Sequence, residues 1–105
     1  MKKDKGVPMT RQVPHPHPGE ILAEEFLKPL GITPYRLAKA IHVPLTRITA
    51  IIAGDRSVTA DTGLRLSRAL GLSESFWTGL QIDYDTALTK DAIQPELEDI
   101  ELLTG

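Results

Sequence analysis

The chain has 105 residues, 41% of them hydrophobic, no cysteine and a formal net charge of −2. That length suits one domain with short tails and leaves no room for a second full domain, while the lack of cysteine rules out disulfide staples and thiolate metal sites. No apolar run approaches the roughly 20 residues that cross a bilayer, and no apolar stretch follows the N-terminal lysines as it would in a secretory signal, so a cytoplasmic protein without a membrane partner is expected.

The charges are unevenly placed. Residues 1–70 carry eleven Lys/Arg against six Asp/Glu, a balance of +5; residues 71–105 carry Lys90 against eight acids, a balance of −7. A basic end can meet a polyanion, and an acidic end repels one or engages a basic protein.

In chain order, Met1 to His17 mixes lysine, proline and histidine without a helical or strand period and reads as a flexible arm. Ile21, Leu22, Phe26, Leu27 and Leu30 then recur at helical spacing behind Pro18 and stop at Pro29 and Gly31, which defines a first helix. Thr33 followed by Pro34 is a start signal for a second helix, with a capping hydroxyl and a proline at the first helical position. Leu37, Ala38 and Ile41 form its inner face, and His42-Val43-Pro44 ends it. Leu45 to Ala53 makes a third helix that buries Ile48, Ile51 and Ile52 and stops at Gly54. Thr59 caps a fourth, with Asp61 in its first turn and Leu64, Leu66 and Leu70 on the apolar face. Ser73 and Glu74 open a fifth helix, carrying Phe76, Trp77, Leu80, Ile82, Tyr84 and Ala87 to about Leu88. Residues 89–105 form an acidic tail with Pro95 as a breaker and Leu97, Ile100, Leu102 and Leu103 as its only anchors, read as either a mobile tail or a short partner-dependent helix. The expectation is an all-α fold in three parts: arm 1–17, helical domain 18–88 and tail 89–105.

Two short helices with a three- to four-residue turn, the second held by branched apolar residues, form the pattern of a helix-turn-helix. Ala38 is small enough for the helices to cross closely, and Val43 plugs the turn. With Ile48 and Ile51 inward, Leu45, Thr46, Thr49, Ala50 and Ala53 point out, and Arg47 lies at the margin. Such a small, polar face fits a major groove, where threonines bond base edges or phosphates and Leu45 and Ala50 touch thymine methyls. Arg36, Lys39, Arg47 and Arg56 flank it and can neutralise phosphates. Helix pairs of this kind also occur in bundles that never meet DNA, which leaves a protein-binding adaptor as an alternative.

One string is more specific. His17-Pro18-Gly19-Glu20-Ile21-Leu22, Glu24-Glu25-Phe26-Leu27 and Pro29-Leu30-Gly31 resemble the opening signature of the HigA/VapI antitoxins. The likeness continues through Leu37 to Ile41, Val43-Pro44, Arg47-Ile48, Thr59 to Thr62, Leu64-Arg65-Leu66 and Phe76-Trp77, covering about Pro14 to Leu88. The resemblance implies a lambda-repressor-like five-helix domain that binds double-stranded operator DNA as a homodimer, represses its own operon and neutralises a RelE-like messenger RNA endonuclease, HigB. A free-standing regulator of the same fold is the alternative. The family's recognition helix falls on Leu45 to Ala53. This gives Leu45, Thr46, Arg47, Thr49 and Ala50 as base-facing positions, with Arg36, Lys39 and Arg56 on phosphates. His42 departs from the family pattern, which usually has a left-handed glycine there.

The fifth helix is the dimer seam in related repressors, which makes Trp77, Leu80 and Tyr84 candidates for a self-contact, with the core as the other destination for the single tryptophan. Two recognition helices about 34 Å apart then read an inverted repeat. His15 and His17 lack a nearby acid or cysteine and make a poor ligand set, so no metal or cofactor is expected. No nucleophile, base and acid converge, which argues against an enzyme. For the toxin, the arm and the acidic C-terminal region are both open, and the −7 balance favours the latter.

Overall fold

A computed structural model of the chain describes residues 15–105, and the arm expected over the preceding residues lies outside them up to residue 14. The first helix, α1, is three consecutive segments: Pro18–Ile21, a π-helical Leu22–Leu27, and Lys28–Leu30. It begins at His17, whose extended backbone places Nδ1 to accept the Gly19 amide at 2.9 Å. In the wide turn the Lys28 amide reaches back to the Ala23 carbonyl, which accommodates Pro29, whose ring crowds the carbonyl of an ordinary preceding turn. The π turn also brings Leu22 and Leu27, five residues apart, into the same core. Leu30, expected on the apolar face, is exposed.

α2 (Pro34–Ile41) starts on Thr33, whose Oγ1 accepts the Arg36 amide at 3.1 Å. His42 ends it in the left-handed region at φ 64°, ψ 47°. Its neighbour Val43 then returns its amide to the Ala38 carbonyl at 3.1 Å, closing the turn. Histidine thus adopts the conformation that glycine takes more cheaply at this position. α3 (Leu45–Ile52) follows directly, and the chain leaves it through Gly54 at φ 82°, with the Asp55 amide on the Ala50 carbonyl at 2.9 Å.

α4 (Ala60–Leu70) is capped by Thr59, and α5 (Phe76–Ala92) packs across it. The core joins Leu22 and Leu27 of α1, Leu37, Ala38 and Ile41 of α2, Ile48 and Ile51 of α3, Val58, Leu66 and Trp77. Burying a Leu or Ile side chain contributes about 1.5–3 kcal/mol, so the fully buried Leu22, Ile48, Ile51 and Leu66 dominate the stabilisation of α1, α3 and α4.

Two expectations about these helices change. On α4 the buried side is Thr62, Gly63, Leu66 and Ser67, while Leu64 is 48% exposed. Gly63 explains the difference, since a Cβ there would stand 3.3 Å from Thr78 Cγ2 on α5; the helices meet over small residues rather than over a leucine row. The end of the fifth helix also differs. Helix continues beyond Leu88 to Ala92, and after Ile93 a short α6 (Gln94–Glu98) follows with Pro95 in its first turn. Proline needs no amide bond there. The fold is all-helical across the described residues, with six helices rather than five, and no helix among them is long and apolar enough to cross a membrane.

Candidate nucleic-acid interface

The position of α3 is set from beneath. Gly19 of α1 lies against the α3 backbone so closely that a Cβ on it would stand 1.7 Å from the Ile51 carbonyl oxygen and 2.9 Å from Ile52 Cα. Ile48 and Ile51 point into the core on this side, which turns the opposite face of α3 to solvent. On that face Leu45, Thr46 and Thr49 are exposed and Ala50 is half-buried. Thr49 Oγ1 donates to the Thr46 carbonyl at 3.2 Å. Its proton is therefore committed to its own helix, and what it presents outward is a methyl group and oxygen lone pairs. A Thr49 in this state suits a thymine methyl or an amino group of adenine or cytosine.

Arg47, placed among the base-facing residues by the sequence, is held sideways. Its side chain is 27% exposed, its Nη1 donates to Asp61 Oδ2 at 3.3 Å, and its Nε is buried with no partner among the described residues. The same Asp61 oxygen accepts Arg65 Nε at 3.0 Å, and Arg65 Nη1 donates to the Ile41 carbonyl at 2.8 Å. The C-terminal end of α2, the first turn of α4 and the edge of α3 are thereby joined through one carboxylate. The acid sits in the first turn of α4, where the helix dipole favours it.

Arg36, Lys39 and Arg56 are all exposed, the first two on α2 and the third in the loop after α3. Lys39 Nζ stands 5.7 Å from the centre of the Tyr35 ring, within cation–π range. Tyr35 is itself exposed and was not singled out by the sequence, in which a lone aromatic on a polar helix face carries no periodic signal.

The three residues proposed for a self-contact fall differently. Trp77 has no exposed surface: it is packed against Phe26 at 5.3 Å and Phe76 at 5.1 Å between ring centres, in the heart of the core. Its place among the dimer candidates is corrected accordingly, because aromatic packing has already used its surface. Leu80 is half-buried against the core, and Tyr84 meets the His17 ring edge-on at 5.0 Å. Two residues of α5 had more structural consequence than the sequence showed. Gln81 is buried and accepts the Val58 amide at 2.8 Å while donating to Asp85 at 3.0 Å, so Asp85 orients a core amide. His15 and Asp91 approach to 3.2 Å, and no group of three His, Asp or Glu among the described residues is arranged to hold a metal.

Comparison with known proteins gives this geometry its family. The helix-turn-helix family HTH_3 matches residues 24–77. Virulence-associated protein I of Dichelobacter nodosus is 46% identical over 79 residues, covering 75% of this chain and 73% of that protein. The chain belongs to the HigA/VapI-type helix-turn-helix antitoxins. The HigA/VapI family is a DNA-binding, non-enzymatic one. A second relative, antitoxin HigA-1 of Vibrio cholerae, is 37% identical over 78 residues, 74% of this chain and 73% of that one. Among solved HigA structures, the Pseudomonas aeruginosa antitoxin with the higBA promoter is 36% identical, with a TM-score of 0.80 over 86% of this chain and 99% of that one. Antitoxin GraA in complex with its operator is 32% identical, with a TM-score of 0.80 over 91% and 98%.

Proposed function

We propose that this chain is an operator-binding antitoxin that represses its own operon and neutralises a HigB-like, RelE-type messenger RNA endonuclease in the cytoplasm. The single observation that carries the reading is the outward face of α3, where Leu45, Thr46, Thr49 and Ala50 form a small surface flanked by the exposed cations Arg36, Lys39 and Arg56. A helix with that face enters the major groove, threonines read base edges, and the flanking cations release counterions from phosphates. The promoter and operator complexes of the similar HigA and GraA structures support the same role for this chain.

Residues 18–88 act as the DNA-binding unit. With Trp77 in the core, self-association falls to the outer side of α5, where Ile82 is 62% exposed and Ile93, three helical turns further on, is also exposed. A two-fold contact there pairs two α3 helices on an inverted repeat. The acidic segment 89–105 is the surface for a basic toxin, since opposite charge speeds encounter and fixes register.

The test is a titration of the purified protein against its own promoter and a scrambled duplex at two salt concentrations, followed by anisotropy. Promoter-selective binding that weakens with salt is expected; equal or absent binding contradicts the operator role. Co-expression with the product of the adjacent gene separates the antitoxin from a free-standing regulator. Rescue of growth from a toxic neighbour supports the former, and a harmless or absent neighbour the latter.

A further inference from the structure

We infer that Asp61 is a latch on Arg47 that suppresses binding to non-operator DNA. The inference rests on the operator reading above and deepens it. A guanidinium has five N–H donors in a fixed fork, and its natural ligand on DNA is a phosphate that takes two of them at once. Arg47 has neither arrangement. One Nη donates to a single carboxylate oxygen at 3.3 Å, and Nε is buried without a partner among the described residues.

The carboxylate stays in place independently of Arg47. Arg65 holds the same oxygen at the shorter distance of 3.0 Å and is itself anchored on the Ile41 carbonyl at 2.8 Å. Asp61 is 59% exposed, so water weakens its hold on Arg47. The result is a cation at the edge of the recognition helix that is partly neutralised in the free protein, incompletely bonded, and tethered to a group that cannot follow it. A phosphate brought close by a fully seated α3 offers Arg47 a better ligand and displaces Asp61. A loosely approached duplex does not, and it meets one carboxylate shared by two guanidiniums instead of two free positive charges. Asp61 acts through Arg47; it is a positioning residue and is not expected to touch DNA.

The test uses the full chain with Asp61→Asn, Asp61→Glu and Arg47→Ala, titrated against a scrambled duplex over a range of salt. Asp61→Asn is expected to tighten scrambled-duplex binding several-fold and to steepen the dependence of log K on log salt by about 0.9, the contribution of one freed phosphate contact. Asp61→Glu is expected to behave like the wild type. In an Arg47→Ala background, the Asp61→Asn steepening disappears. An unchanged slope in Asp61→Asn, or a steepening that persists without Arg47, overturns the latch.

A second readout needs no DNA: the Arg47 Nε–H signal in NMR is expected to exchange slowly with solvent in the wild type and rapidly in Asp61→Asn, and equal exchange overturns the latch. Wild-type indifference between promoter and scrambled duplex defeats the operator reading. The latch stands or falls on the scrambled-duplex slope and the exchange rate.

Discussion

Gly19 and Ile51 touch backbone to backbone: the space a Cβ on Gly19 would need is occupied by the Ile51 carbonyl oxygen, 1.7 Å away. The contact fixes the recognition helix against α1, and no rotamer change can relieve a clash with a backbone atom. Gly19→Ala is therefore expected to destabilise the fold by about 2–3 kcal/mol, at the upper end of overpacking costs. Urea denaturation measures this directly. A loss of less than about 0.5 kcal/mol, the range of an ordinary surface substitution, contradicts the packing described here.

Gln81 links α5 to the loop before α4 by accepting the buried Val58 amide at 2.8 Å. Gln81→Met keeps the volume and removes the acceptor, leaving that amide unpaired, at a cost of about 1–3 kcal/mol. Asp85→Asn, which keeps an oxygen for the Gln81 side-chain amide, is expected to cost much less. Thermal melts of the two variants side by side check the ordering, and equal melting temperatures contradict it.

His42 is the one non-glycine residue with positive φ among the described residues. A left-handed conformation costs an L-residue about 1–2 kcal/mol, and glycine's extra chain entropy offsets roughly 0.5–1 kcal/mol of the gain from replacing it. His42→Gly is expected to stabilise the protein by about 0.5–1 kcal/mol, a rise of roughly 4 °C in melting temperature for a domain of this size. A lowered melting temperature means the histidine makes a compensating contact.

Much of this architecture is legible from local signals. Thr33-Pro34, Thr59 and the glycines at 31 and 54 mark helix ends by chemistry that acts within one turn, and the structure places caps or left-handed stops at each. The buried pair Ile48 and Ile51 likewise determines which face of α3 points outward. What the sequence concealed depends on distant partners. Leu64 is exposed because Gly63 lets α5 approach on another side of α4. Trp77 has no exposed surface because Phe26, fifty-one residues earlier, packs on it. Arg47 is drawn aside by Asp61, which sequence alone identifies only as a helix-dipole residue. Side-chain periodicity reports the inner and outer faces of one helix; it does not report which neighbour arrives there.

The central claim is that the outward face of α3 reads bases while the surrounding cations hold phosphates, and a paired comparison tests it most directly. Thr46→Ala/Thr49→Ala and Arg56→Ala are each titrated against promoter and scrambled duplexes across a range of salt. The threonine variant is expected to lose promoter affinity by about 1–3 kcal/mol while leaving scrambled binding and the salt slope unchanged. Arg56→Ala is expected to weaken both duplexes alike and to flatten the slope by about 0.9. Promoter selectivity that survives loss of both threonine hydroxyls contradicts the assignment of α3 as the reading element.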